Sequence, residues 1–259
     1  MCLLIFAYRC DPRYPLVVSA NRDEFHARPT APSGFWSDYP ELLAGRDLEQ
    51  GGTWMGITRR GRFAAITNYR DPARTAPAPR SRGELPLNYL VGNQAPEEFL
   101  TGLVGQAEEY AGFNLLVGDD SSGLWYLTNS DGTGRGMPLR LQPGTYGLSN
   151  ARLDTPWPKV VLGKARLSEL LASGPAEHGA LAAVVGDRRL ADPDTLRQQG
   201  MASSMEQLLS AQFITTESYG TRSTTTLWTD HTGMASWRET SFDQQGMPRG
   251  VREEIFRVG

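Results

Sequence analysis

Short apolar segments joined by turn residues constrain the fold of this chain more than any other feature. Leu3–Arg9 and Leu16–Ala20 flank Asp11-Pro12-Arg13-Tyr14-Pro15, which is the pattern of a β-hairpin. The other predicted hairpins are Met55–Arg59 with Arg62–Thr67, Phe113–Gly118 with Gly123–Thr128, and Thr221–Thr229 with Gly233–Ser241. Because hairpins join antiparallel strands, the chain is predicted to build antiparallel sheets rather than parallel β-α-β units.

Segments with helical spacing lie between the hairpins. Glu84–Val91, Pro96–Gln106, Pro156–Ala172 and Gly179–Gly186 are the predicted helices, and Tyr146–Ser149 and Glu253–Val258 are predicted single strands. No linker composition and no internal repeat divides the sequence. We therefore predict one domain over residues 1–259 with an α+β fold, in which helices cover antiparallel sheets.

Composition excludes several classes of function. The 259 residues carry a net charge of −3, which argues against a nucleic-acid binder. The apolar run Leu3–Tyr8 is too short for a signal peptide or a membrane span, so we expect no transmembrane segment. Two cysteines do not make a disulfide scaffold, and the three histidines lack metal-ligand spacing. We expect a cytoplasmic protein without a bound metal.

Cys2 has a chemistry that no internal cysteine shares. Removal of Met1 would leave a thiol and a free α-amine on one residue. An amine with a pKa near 7.7–8.0 can accept the proton of a thiol with a pKa near 8.5 for only about 1 kcal/mol. Nucleophile and base then come as one unit. The alternative is that Cys2 is a small buried hydrophobic residue before a strand.

Further motifs follow Cys2 in a characteristic order. They are Asn21-Arg22-Asp23-Glu24, Arg28-Pro29, Ala44-Gly45-Arg46-Asp47, Gly51-Gly52-Thr53-Trp54-Met55-Gly56, Thr67-Asn68-Tyr69-Arg70, Ser81-Arg82-Gly83 and Gly147-Leu148-Ser149-Asn150. With these motifs the chain resembles the NRDE family, the bacterial relatives of transport and Golgi organization protein 2. The match covers most of the first 150 residues and weakens from Asp154 onward.

The resemblance implies a fold and a set of roles. The NRDE family is similar to cysteine N-terminal-nucleophile (Ntn) hydrolases such as penicillin V acylase, which have a four-layer αββα sandwich of antiparallel sheets and hydrolyse non-peptide amides. By this resemblance Cys2 is the nucleophile, Asp23 holds its α-amine, Asn150 and Asn68 stabilise the oxyanion, and Arg222 lies near the thiolate. Taken alone, Asp23 could equally cap a turn, the asparagines could bond loop backbone, and Arg222 could pair on a surface strand.

Two further residues, Arg22 and Trp54, complete the candidate site. The hydrolases carry an arginine where this chain has Ala20, and Arg22 does not occupy that position, so we expect a less stabilised thiolate. Arg22 is retained as a candidate substrate-binding residue. Trp54 is a second such candidate, although core packing is the simpler interpretation of an aromatic residue on a strand.

The sequence is compatible with two functions. The first is hydrolysis of a non-peptide amide or thioester by Cys2, with no cofactor required. The second is a non-catalytic carrier on the same fold that binds haem, an acyl lipid or another small hydrophobic ligand, because proteins resembling this family are linked to both.

Overall fold

A computed structural model describes residues 2–70, 78–130, 136–201 and 203–259. The strands are β1 (Cys2–Tyr8), β2 (Leu16–Phe25), β3 (Thr30–Phe35), β4 (Leu42–Asp47), β5 (Met55–Thr58), β6 (Phe63–Asn68), β7 (Phe113–Asp119), β8 (Gly123–Thr128), β9 (Leu139–Arg140), β10 (Gly144–Leu148), β11 (Tyr219–Thr229), β12 (Met234–Phe242) and β13 (Pro248–Arg257). The α-helices are α1 (Glu84–Val91), α2 (Pro96–Val104), α3 (Pro158–Ser173), α4 (His178–Val184), α5 (Pro193–Gln198) and α6 (Ser204–Leu208).

The described strands form two antiparallel sheets, as the hairpin pattern predicts. The first sheet has the order β10-β1-β2-β11-β12-β13, and the second has the order β3-β4-β5-β6-β7-β8-β9. Strands β1 and β2 pair from Cys2 opposite Arg22 to Tyr8 opposite Leu16. Strand β11 then pairs with the other edge of β2, so that β2 is a central strand of the first sheet.

The two sheets pack face to face, and helices cover both outer faces. Leu4, Phe6 and Trp237 of the first sheet are buried between the sheets, because alternate side chains of a strand face opposite sides. Helices α1 and α2 pack on the outer face of the second sheet, and α3 and α4 pack on the first. The predicted four-layer αββα sandwich is therefore confirmed.

The structure adds elements that the sequence patterns do not indicate. Strand β3 lies in a segment with many turn residues, and it contains Pro32. Proline is tolerated there because β3 is an edge strand whose register shifts between Ala31 and Gly34. Helices α5 and α6 are too short to show periodicity, although Asp192 caps α5 by accepting a hydrogen bond from the Thr195 backbone N–H at 2.9 Å. No helix in the described part of the chain is long and apolar enough to cross a membrane.

Polar contacts join the two sheets near the edge where β3 approaches β12. The indole N–H of Trp237 donates to Ser33 Oγ at 3.0 Å. The Ser33 backbone N–H donates to Glu239 Oε1 at 2.7 Å. Burial raises the pKa of Glu239, with the hydrogen bonds from Ser33 acting against that rise. These two hydrogen bonds tie β3 of the second sheet to β12 of the first.

We expect Trp237→Ala to lower the free energy of unfolding by about 3–5 kcal/mol, since it removes the largest fully buried side chain between the sheets. Ser33→Ala should cost only about 1–3 kcal/mol, because it leaves the indole N–H without its acceptor but opens little space. Urea denaturation measures both values. A cost below about 1 kcal/mol for Trp237→Ala would contradict this account of the core.

Candidate active site

Cys2 lies at the first position of β1 and at the mouth of the space between the sheets. Leu4 belongs to the core between the sheets, so Cys2, two residues earlier, faces the same side. The residue is half-buried and lines a cleft of about 740 Å³. A ligand in this cleft can therefore reach the thiol. Met1 lies outside the described residues.

Two glycine-containing loops form one wall of the Cys2 cleft. Thr53 and Gly83 are joined by a hydrogen bond of 3.0 Å from the Thr53 backbone N–H to the Gly83 carbonyl. A Cβ atom at Gly52 would overlap with the backbone of Gly83. The close approach of these two loops explains why glycine occurs in both motifs.

Arg22 and Trp54 form a stacked pair that also lines the Cys2 cleft. The guanidinium carbon of Arg22 lies 4.6 Å from the centre of the Trp54 ring, within the range of a cation–π interaction. Trp54 also packs against the cores on both faces of the second sheet, so it is both a core and a cleft residue. A Cβ atom at Gly45 would overlap with its ring. Glycine at position 45 thus sets where this pair lies.

Asp23 is buried beside Cys2. Its Oδ1 accepts a hydrogen bond of 2.7 Å from the hydroxyl of Thr221, and its carbonyl accepts one of 2.8 Å from the hydroxyl of Tyr219. The side chain faces the α3 layer, on the same side of β2 as Val17. Burial raises the pKa of Asp23.

A lysine is buried in the same region. Lys159 of α3 is 4% exposed, and its Nζ donates to the carbonyl of Leu209 at 2.9 Å. Burial lowers the pKa of Lys159, and the negative charge of Asp23 acts against that fall. The charges of Asp23 and Lys159 therefore stabilise each other near Cys2.

The thiol of Cys2 is not activated by its surroundings alone. Burial raises its pKa, while the positive charge of Arg22 and a hydrogen bond from the Asp23 backbone N–H act in the other direction. The net effect favours the neutral thiol. A base is therefore needed if Cys2 is to act as a nucleophile at neutral pH.

The two candidate asparagines are joined to each other and to Cys2. Asn150 Nδ2 donates to the carbonyl of Asn68 at 2.9 Å, and Asn150 Oδ1 accepts from Ser149 Oγ at 3.1 Å. The Ser149 hydroxyl also lies 3.3 Å from the carbonyl of Cys2. Asn68 lines the Cys2 cleft, whereas Asn150 is 1% exposed and lines a separate small cavity. The structure thus brings Cys2, Asp23, Asn68 and Asn150 together at one end of the sandwich.

Arg222 has a different environment from the one that the family resemblance implies. It lies at a register shift between Thr221 and Ser223 in β11. Its Nη1 donates to the carbonyls of Phe25, His26 and Arg28 at 2.9, 3.2 and 3.3 Å, so it holds the turn after β2. Arg222 lines a second cleft, on the other side of the Arg22–Trp54 pair from Cys2.

A different arginine, Arg82, lines the Cys2 cleft. Its Nη1 donates to the carbonyl of Gly112 at 3.1 Å. Burial lowers the pKa of Arg82, and the Cys2 thiolate acts against that fall. The Ser81-Arg82-Gly83 motif contained this residue, but nothing in the sequence showed that the loop folds over the thiol. Arg82 and Arg22 together supply positive charge at the Cys2 cleft. They do so although this chain has Ala20 where the hydrolases carry an arginine.

The described lining of the Cys2 cleft offers haem iron few donors. It contains no histidine or methionine among those residues, and Cys2 is its one thiol. His26 Nε2 lies 3.1 Å from the carbonyl of Thr216, and both nitrogens of His178 contact hydroxyls, of Thr226 and Ser236. The described lining therefore gives haem iron one axial donor, the Cys2 thiol, and no second.

Gly45→Ala should displace the Trp54 ring and separate it from Arg22. We expect a loss of about 1–3 kcal/mol in unfolding free energy, together with a change in tryptophan emission. Gly34→Ala is the matched control, since a Cβ atom there meets nothing within 4 Å. It should change stability by no more than about 0.5 kcal/mol. Equal effects of the two substitutions would contradict the packing described here.

Comparison with known proteins identifies the family. The family model "Transport and Golgi organisation 2" matches residues 1–244. The chain is 36% identical to the Transport and Golgi organization protein 2 homolog of Bos taurus and 35% identical to that of Homo sapiens. Each alignment spans 262 residues and covers 93% of this chain and 93% of the relative.

A solved structure is similar in fold. The Caenorhabditis elegans N-acylethanolamine-hydrolyzing acid amidase ortholog superposes with a TM-score of 0.50 at 9% identity, over 71% of this chain and 86% of that chain. At this identity the similarity shows the Ntn-hydrolase fold and nothing about activity. The sequence matches show more: this chain belongs to the Transport and Golgi organisation 2 family.

Proposed function

We propose that this protein is an Ntn hydrolase in which Cys2, as the N-terminal residue, cleaves a non-peptide amide or a thioester. The observation that carries the proposal is the placement of Cys2 at the start of β1, half-buried at the wall of a cleft, with the carboxyl group of Asp23 on the adjacent strand. This arrangement provides a nucleophile, space for a ligand, and a charge partner for an α-amine.

The reaction follows from the groups present. After removal of Met1, the free α-amine of Cys2 takes the thiol proton, and the sulfur attacks the substrate carbonyl to form a tetrahedral intermediate. The resulting ammonium group returns this proton to the leaving amine or thiol as the intermediate collapses to an acyl-thioester. Water, deprotonated by the same amine, then attacks the acyl group, and the sulfur leaves as the thiol. The carboxylate of Asp23 stabilises the ammonium form in each step.

Asn68 is the oxyanion donor that the geometry favours. Asn68 lines the cleft, whereas the amide group of Asn150 donates to the Asn68 carbonyl and Asn150 is nearly inaccessible. We therefore assign Asn150 a positioning role, and Arg222 likewise, because its guanidinium holds the turn after β2. Arg82 and Arg22 contribute positive charge near the developing anion.

The walls of the cleft indicate the kind of substrate. Trp54 and Ile66 offer apolar surface, and Arg22 and Arg82 offer positive charge. Arg28 is ion-paired with Asp47 and Glu49, so this part of the wall is polar rather than positively charged. A small acyl compound with a polar or charged end fits such a mixed surface. The nematode amidase is named for hydrolysing an N-acylethanolamine, which is a non-peptide amide, and the bond class proposed here is the same. An acyl-lipid carrier without turnover is the alternative on this fold, and haem is not favoured by the donors at the cleft.

Cys2→Ala should abolish covalent acylation by an activated probe such as an octanoyl thioester, because it removes the attacking sulfur. Intact-mass measurement with peptide mapping locates the adduct, and release of the thiol gives the turnover rate. Cys10→Ala is the matched control, since Cys10 is an exposed thiol that lines a different cleft from that of Cys2. Acylation mapped to Cys10, or turnover that survives Cys2→Ala, would contradict the proposal.

Asp23→Asn should lower kcat roughly 10²-fold or more, because the ammonium form of the α-amine loses its charge partner. Only ionised Asp23 can serve, and its pKa is raised by burial. Activity of the wild type should therefore fall as the pH decreases through a value above the ordinary 3.8, and Asp23→Asn should lack this acid limb. Thr221→Val, which keeps the carboxyl group but removes its hydroxyl donor, should shift the limb to higher pH. An unchanged pH profile in both variants would rule out this role.

A further inference from the structure

A second cleft of about 540 Å³ lies on the far side of the Arg22–Trp54 pair from Cys2. The walls come from β2, β3, β11, β12 and β13, where the two sheets meet at one edge. Its charged lining residues are Arg22, Arg222, Glu239, Arg249 and Arg252. We name it the arginine cleft. The proposed hydrolysis at Cys2 makes no use of it.

Arg22 is buried in this wall without a full set of partners. The residue is 6% exposed, and its Nη1 atom, with under 1 Å² accessible, has no hydrogen-bond partner. Its Nη2 atom lies 3.8 Å from Glu24 Oε2, which is an ion pair but longer than a hydrogen bond. A buried donor without an acceptor costs about 1–3 kcal/mol, so an added acceptor would be stabilising.

The neighbouring arginines add positive charge that the cleft does not neutralise. Burial lowers the pKa of Arg222, and the charges of Arg22 and Arg249 lower it further, while Glu24 opposes them. Glu239 does not balance this charge, because its carboxyl group accepts from Ser33 and Thr225 and burial raises its pKa. Four arginines thus line one space whose only carboxyl group among the described lining residues is that of Glu239.

We propose that the arginine cleft binds the oxyanion end, a carboxylate or a phosphate, of a small ligand. Guanidinium groups match such anions because their planar N–H donors can bind two oxygens at once. An anion here would place an acceptor beside the guanidinium group of Arg22, whose Nη1 has none, and would reduce the repulsion between Arg222 and Arg249. Binding does not require hydrolysis, and it would affect Cys2 through Arg22, which lines both clefts.

Isothermal titration with inorganic phosphate and, separately, with acetate tests this site on the full chain. We expect saturable binding that weakens as sodium chloride is added. Arg249→Gln should weaken the binding of the preferred anion about tenfold, since it removes one charged donor. It is the informative variant because Arg249 is exposed, whereas Arg222 also supports a turn. Tighter binding of phosphate assigns a phosphate end to the ligand, and tighter binding of acetate assigns a carboxylate end.

Arg9→Gln is the matched control, because Arg9 lines a cleft formed by other turns, with Cys10, Asp120 and His231. The Arg9→Gln variant should bind the anion with the same affinity as the wild type. Cys2→Ala should also bind the anion normally, so failure of the proposed hydrolase activity would leave this result intact. The proposal is overturned if neither anion binds saturably, or if Arg249→Gln and Arg9→Gln bind as well as each other.

Discussion

The pairing of β1 with β2 is the constraint on which the site depends. The register places Cys2 opposite Arg22 and leaves Asp23 one residue further along the same strand. Because side chains alternate, Cys2 and Arg22 face the space between the sheets while Asp23 faces the α3 layer. A shift of one residue would reverse every one of these directions. The register is held by Leu4 and Phe6 on one face and Leu3 and Ile5 on the other, all of them buried.

The site is built at a cost to stability. Asp23, Lys159 and Arg22 are each more than nine-tenths buried, and burying charged groups is unfavourable unless partners compensate. Thr221 and the Leu209 carbonyl provide such partners for the first two, and Trp54 provides an aromatic face for the third. Tight contacts between loops, such as that of Gly52 with Gly83, then fix the cleft around Cys2. Three charged groups whose burial is unfavourable thus lie close to one thiol. Such a cluster is typical of functional sites rather than of hydrophobic cores.

Much of the fold could be predicted from the sequence, and the site only in part. Alternating apolar residues and turn residues indicated the hairpins, and the motifs after Cys2 indicated the family and the layered fold. The face of the sheet toward which the Arg222 side chain points could not be predicted, because a register shift between Thr221 and Ser223 interrupts the alternation of side chains along β11. The burial of Asn150 depends on hydrogen bonds to segments far away in the chain, and the approach of Arg82 to Cys2 depends on how a loop folds. Local patterns carry no information about such contacts. The single domain, the cytoplasmic location and the absence of a required cofactor remain predictions.

The central claim is that Cys2 acts with its own α-amine, and this requires a mature N-terminus at Cys2. The most direct test is intact-mass analysis with N-terminal peptide sequencing of the protein purified from its native host, in a preparation that turns over an acyl substrate. We expect the active chain to begin at Cys2 with a free amine. An active preparation in which Met1 is retained would contradict it, since the Cys2 nitrogen would then be an amide that cannot accept the thiol proton.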